Sequence, residues 1–156
     1  MTQVLRVLRD IALLIARIVA GVTLVAHGWH RWQETGIDAQ VALLEAAGLP
    51  SAAGLVVATI AFELIGGVLL AFGLATPLVG LGMAALNVAI ILTTKADGPF
   101  FLHLGGWEYN AVQAALGLMF LVYGSGRAGL DALFIRPKDE DGSLIDEAPS
   151  AQTSHR

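Results

Sequence analysis

Between Ile11 and Trp29 the chain runs about 19 residues with one permanent charge, Arg17. A segment of that length and apolarity is close to the ~20 residues that cross a hydrocarbon core as a helix. Lipid offers backbone N–H and C=O groups no partner, so only helices and closed barrels cross it. The same constraint recurs three times. Residues 51–74 carry only Glu63, residues 77–94 carry no charge, and residues 107–124 carry only Glu108, near their start. The expectation is an all-α membrane protein: a four-transmembrane-helix bundle with spans at about 11–30, 51–74, 77–94 and 107–124, together one domain over residues 1–136.

Composition agrees. Hydrophobic residues make up 56% of the 156 residues and charged residues 14%, against about 25% charged in soluble domains. Mean hydropathy is +0.70. There is no cysteine, which excludes disulfides, thiol relays, iron–sulfur clusters, c-type haem attachment and cysteine zinc sites in this chain. The net charge of -4 leaves no basic stripe for nucleic acid, so nucleic acid is not an expected partner. Arg6 and Arg9 precede the first apolar stretch as they would in a signal peptide, but Arg17 interrupts it and no A-x-A site follows, which favours a retained helix.

The connections have their own signals. From Arg31 to Pro50, Ile37, Val41, Leu44 and Gly48 recur at three- to four-residue spacing among Glu34, Asp38 and Glu45. That pattern predicts a short amphipathic helix between helices 1 and 2, stopped by Gly48 and Pro50. Ala75-Thr76-Pro77 makes a tight turn, with proline at the start of the next helix. Residues 95–106 join a turn at Asp97-Gly98-Pro99 to an aromatic patch suited to the headgroup level. Residues 137–156 are polar and acidic, too poor in apolar side chains to fold alone, and are expected to be a disordered tail.

Arg6, Arg9, Arg127, Arg136 and Lys138 flank one membrane side, and only Arg31 and Lys95 the other. Basic residues near span ends favour the cytoplasm, so the expectation is a multi-pass protein of a bacterial cell membrane with both termini cytoplasmic.

Ionisable groups at bilayer depth cost about 2.5 kcal/mol or more on insertion scales, and they face the bundle interior and seek partners. Placing each span about one midplane puts Glu63, Asn87 and Gln113 near its centre and Arg17 in the inner half of helix 1. The expectation is one buried polar layer in which Arg17 reaches Glu63 and compensates its charge. A carboxyl so placed suits proton exchange with a quinone or another bound redox molecule, making Glu63 and Arg17 the candidate catalytic residues. The competing reading of Arg17 is a salt bridge that only fixes packing.

Toward the outer face His27, His30, His103 and Glu108 form a second cluster, with Trp29, Trp32 and Trp107 beside it. Such histidines and tryptophans more often anchor at headgroups than bind metal, and no H-E-x-x-H pattern is present, so no metal is expected. Ladders of small residues, such as Ala12, Ala16 and Ala20, read as packing faces. Gly124-Ser125-Gly126 follows a helix rather than opening one, so it reads as helix punctuation and not as a phosphate cradle.

Several stretches together resemble the DoxX family of small four-helix membrane proteins. They are Arg17-x-x-x-Gly21 with His27-Gly28, Gly48-Leu49-Pro50, and Glu63-Leu64-Ile65-Gly66-Gly67 running on to Gly73-Leu74-Ala75-Thr76. Gly106-Trp107-Glu108 and Gly124-Ser125-Gly126 with Leu130-Asp131 complete the likeness. The chain departs from the family pattern at Pro77, where a basic residue often stands, and at His30-Arg31, where a lysine often follows the histidine–glycine pair. The resemblance implies an integral membrane protein linked to oxidoreductases, related to the DoxD subunit of thiosulfate:quinone oxidoreductase. Its matching polar positions here are Arg17, His27, Glu63 and Glu108.

The functional expectation is a membrane subunit of a quinone-linked oxidoreductase or redox-stress complex. No covalent cofactor is expected, and a quinone is expected in a pocket of His27, Asn87, Glu108 and Gln113. Lipid, a respiratory or redox protein complex and further copies of the chain are the expected partners. The alternatives are a noncatalytic scaffold docking a partner enzyme and, third, a small-molecule carrier, for which four helices without an inverted repeat are few.

Overall fold

The computed structural model describes residues 2–127 and 129–131; the expected tail at 137–156 lies outside the described residues. All regular structure among them is helical. Helix α1 (Thr2–His30) passes directly into a π-helical turn, Arg31–Thr35. The spanning stretch Gln3–Thr35 holds 33 residues, about 50 Å at 1.5 Å per residue, well past the ~30 Å hydrocarbon core. This corrects the expected end near residue 30, because nothing in Arg31–Thr35 stops a helix before Gly36, which sits at φ 81°.

Helix α2 (Ile37–Ala46) is the short helix expected between the first two spans. Gly48 at φ 74° ends the turn after it. There the N–H of Leu49 donates to Leu44 C=O (3.0 Å) and that of Gly48 to Glu45 C=O (2.9 Å), a Schellman closure that glycine permits at no steric cost.

Helix α3 (Ala52–Phe72) is one rod of 21 residues, interrupted by a second π turn, Phe62–Gly66. Helix α4 (Thr76–Thr94) carries Pro77 in its first turn, where the missing N–H is not needed. A short 3₁₀ turn, Leu102–Leu104, precedes α5 (Glu108–Tyr123). Three rods, Gln3–Thr35, Ala52–Phe72 and Thr76–Thr94, are long and apolar enough to cross a membrane. With 16 residues, α5 is about 24 Å long and falls short of the others.

The helices pair through glycine. A Cβ at Gly21 on α1 would stand 2.5 Å from the Gly67 carbonyl oxygen, and one at Gly67 would stand 2.6 Å from that of Gly21. Helices α4 and α5 meet likewise, since Cβ atoms at Gly80 and Gly117 would each approach the other's carbonyl oxygen to 2.7 Å. Backbones this close maximise dispersion contact where lipid supplies no hydrophobic drive. The Phe62 ring fills the notch at Gly82 and joins the two pairs. One core, Ala20, Leu24, Leu70, Val79, Met83 and Phe120, draws on all four long helices.

Candidate functional site

The two π turns meet. Arg31 lies in the first and Glu63 in the second, and Arg31 Nε stands 3.1 Å from Glu63 Oε2 and donates to Oε1 at 3.2 Å. The Glu63 side chain is 6% exposed and that of Arg31 31%. Wide turns of this kind recur at functional sites because the extra residue re-aims side chains. Here the second one turns Glu63 and Gly66 inward together. Gly28 makes the approach feasible, as a Cβ there would meet the Glu63 Cβ at 2.9 Å.

Arg31 is held from the other side as well. Its Nη1 donates to Gln40 Oε1 (3.1 Å), while Gln40 Nε2 donates to the carbonyls of Arg31 (2.8 Å) and Gly36 (3.3 Å). Gln40 is the one buried side chain of α2, and it ties that helix to the ion pair. A cleft of about 560 Å³ opens above it, with polar walls from His27, His30, Arg31, Thr35 and Gln40 and apolar walls from Ala26, Ala39 and Leu43.

His27 connects the cleft with α5. Its ring stacks on Tyr109, centroids 4.8 Å apart and 28° between planes. The Tyr109 hydroxyl accepts from Gln113 Nε2 at 2.6 Å. Glu63 and Arg31 both act on the Tyr109 phenol through space. Two buried acceptors, Glu63 Oε2 and Gln113 Oε1, receive no hydrogen bond among the described residues.

Asn87 belongs to a neighbouring chain of bonds. Asn110 Nδ2 donates to Asn87 Oδ1 (2.9 Å), Asn87 Nδ2 to Met83 C=O (2.8 Å), and Lys95 Nζ to Asn110 Oδ1 and Gly106 C=O (3.0 Å each). Among the described residues Lys95 therefore has only neutral acceptors. Burial, reinforced by the nearby Arg31 charge, holds its ammonium below the usual lysine range.

Arg17 does not pair with Glu63, which corrects the expected partnership. The reason is antiparallel register. With Gly21 opposite Gly67, residues earlier on α1 face residues later on α3, so Arg17 lies beside Gly73 and Glu63 beside Gly28. Arg17 is fully buried, packed over Gly73 and Gly129, where added Cβ atoms would strike its Nη1. None of its three nitrogens makes a hydrogen bond among the described residues, and Asp131 is the carboxylate that acts on it. Asp131 itself accepts from the N–H groups of Ala75 (2.7 Å) and Thr76 (3.0 Å) at the start of α4.

Glu108 also serves elsewhere. Its Oε2 accepts from the Leu102 N–H (3.0 Å) and braces the 99–106 loop. His30 pairs with Glu34 (3.3 Å). Among the described residues no three histidine, aspartate or glutamate side chains gather as metal ligands. Arg31, Gln40, Tyr109, Asn110 and Lys95 are the members that sequence reasoning missed. Their one signal was position: Arg31 falls one turn beyond His27, and Asn110 one turn before Gln113.

These features define a helical membrane protein with an ion pair whose carboxylate is buried and whose arginine lines a cleft of mixed polar and apolar walls. The family model described as DoxX matches residues 12–96, more than half of the chain, and the chain belongs to the DoxX family. It is similar to the protein named "Putative oxidoreductase CatD" of Bacillus subtilis (strain 168), 33% identical over 129 residues that cover 83% of this chain and 91% of that protein. No solved structure matches the chain.

Proposed function

We propose that this chain is the membrane subunit of a quinone-linked oxidoreductase, with the headgroup of the redox molecule in the cleft beside Arg31 and Glu63. The observation that carries the reading is the Arg31–Glu63 pair, set between two π turns at the edge of a cleft with both polar and apolar walls. Apolar walls with a few convergent polar groups suit a flat aromatic ring bearing oxygens, and about 560 Å³ lies within the range of small-molecule pockets. The relative's oxidoreductase name supports the same class.

A bound quinone supplies two-electron, two-proton chemistry. Glu63, its carboxylate paired with Arg31, would hold or release a proton as electrons arrive from a partner protein. Arg31 compensates the carboxylate, the role sequence reasoning gave to Arg17. His27 forms part of the wall against which the ring lies, with Tyr109 stacked on it and Gln113 orienting the phenol. In this reading α5 crosses as a fourth span in a locally thinned bilayer, and both termini are cytoplasmic. A partner complex and further copies of the chain complete the assembly.

The test is Glu63→Gln in the purified membrane complex. A folded protein without quinone-dependent turnover is the expected result, and full turnover in the variant would overturn the assignment.

A further inference from the structure

Resting on the cleft reading above, a second hollow beside the cleft says what kind of redox molecule the site takes. Between α1 and α3 runs an open groove of about 590 Å³. Its floor is backbone and methyl groups, since a Cβ at Gly21 would meet the Gly67 carbonyl oxygen at 2.5 Å and the Ala71 Cβ at 2.9 Å. Val22, Val25, Val68 and Phe72 form its sides, and the paired His30 and Glu34 (3.3 Å) stand at the end nearest the cleft. Along α1 it extends from Gly21 to His30, about 14 Å at 1.5 Å per residue. Residues 22, 26 and 30 stand in line on that helix at i, i+4 spacing. Ala26 and His30 line both the cleft and the groove, so this line is the ridge between the two hollows. Between Val22 and His30 it dips at the exposed methyl group of Ala26. Two other apolar hollows, one against Val57 and Leu64 and one against Val4 and Val7, share no residue with the cleft.

We propose that this groove holds the isoprenoid tail of the redox molecule, so that the site takes a long-chain membrane quinone and not a short soluble one. The headgroup lies in the cleft beside His27 and Arg31, and the tail crosses the ridge at Ala26 and runs on between Val22 and Val68. A floor of glycine and alanine lets the chain make close dispersion contact where lipid supplies no hydrophobic drive. A branched, unsaturated tail has fewer torsional states to lose on settling there than a saturated acyl chain has. An acyl chain of bulk lipid also has no anchor in the cleft, whereas the tail is tethered there by its headgroup.

The experiment uses the full chain in nanodiscs of zwitterionic lipid. The probe is a naphthoquinone with an isoprenoid tail of about three units, matched to the groove of about 14 Å, and a diazirine at the tail's far end. Light is expected to label α1 at Val22 and α3 from Val68 to Phe72. Excess unlabelled tailed quinone lowers that labelling about fivefold, the effect of competition for one site. Val68→Trp fills the groove at a position that is 47% exposed and clear of the cleft, and it is expected to lower the labelling likewise. Val22→Trp, from the opposite wall, is the second such variant. Val57→Trp, in the hollow that does not reach the cleft, leaves the labelling unchanged. Tail-free methylnaphthoquinone binds all three variants as it binds the wild type. Labelling spread evenly over the lipid-facing helices, or unmoved by competitor and by both folded groove variants, overturns the tail inference; the quinone site still stands if the tail-free quinone binds and is lost in Glu63→Gln. Binding of neither quinone overturns the quinone reading and the tail groove with it.

Discussion

Arg31 and Glu63 stand 3.1 Å apart at the point where two π turns, one in each of two antiparallel helices, face each other. Removing one partner leaves an uncompensated group in a largely buried place, whereas removing both leaves none. Arg31→Met is expected to destabilise by about 2 kcal/mol, less than a fully buried pair costs, because Arg31 is part-exposed and Glu63 can take up a proton. Arg31→Met with Glu63→Leu recovers most of that loss. Thermal unfolding in detergent, followed through the tryptophans, reads both.

Glycine substitutions sort by crossing. Gly21→Val and Gly67→Val place side chains where a bare Cβ already meets backbone at 2.5 Å and 2.6 Å. The helices must then separate, and folded yield is expected to fall sharply. Gly54 is helical on α3 with nothing within 4 Å of an added Cβ. Gly54→Ala is expected to leave yield unchanged or to gain up to about 1 kcal/mol from chain stiffening. Size-exclusion profiles of the three variants check the ranking.

Lys95 links stability to pH. Its folded-state pKa lies below the unfolded value of 10.5. Between the two the unfolded chain binds more protons, so stability rises with pH through that alkaline window and is flat above it. In Lys95→Met the rise disappears. Melting temperatures of both proteins across that window show the difference, and parallel curves would contradict the assignment.

Asp131 ties the segment after α5 to the start of α4. Its carboxylate accepts two N–H groups, at Ala75, which has φ 50°, and at Thr76. Asp131→Ala is expected to cost about 1 kcal/mol as a lost cap, and more because Arg17 then loses its nearby carboxylate. A double-mutant cycle with Arg17→Met is expected to give a coupling of about 1 kcal/mol, with zero coupling as the contrary result.

Much of the fold was legible because lipid enforces simple rules. The apolar runs marked every long helix, Gly48 marked the close of α2, and Ala75-Thr76-Pro77 marked the turn before α4. The first boundary failed because His30 to Thr35 holds no helix stop, so the rod outran its apolar stretch. The site was half legible. Cost alone selected Glu63, Asn87 and Gln113, and all three are buried. Their partners were hidden, because a helical wheel of constant period cannot show a π turn, and because midplane depth ignores the register that Gly21 and Gly67 impose. That register sent Arg17 to the opposite end and brought Arg31 to Glu63.

The measurement closest to the central claim is mass spectrometry of small molecules extracted from the protein purified in mild detergent, wild type beside Glu63→Gln and Arg31→Met. The account predicts a quinone-class molecule in near-stoichiometric amount with the wild type and its loss from both variants, each of them folded. A wild-type preparation without any bound redox molecule, or one retained equally by all three proteins, would contradict it.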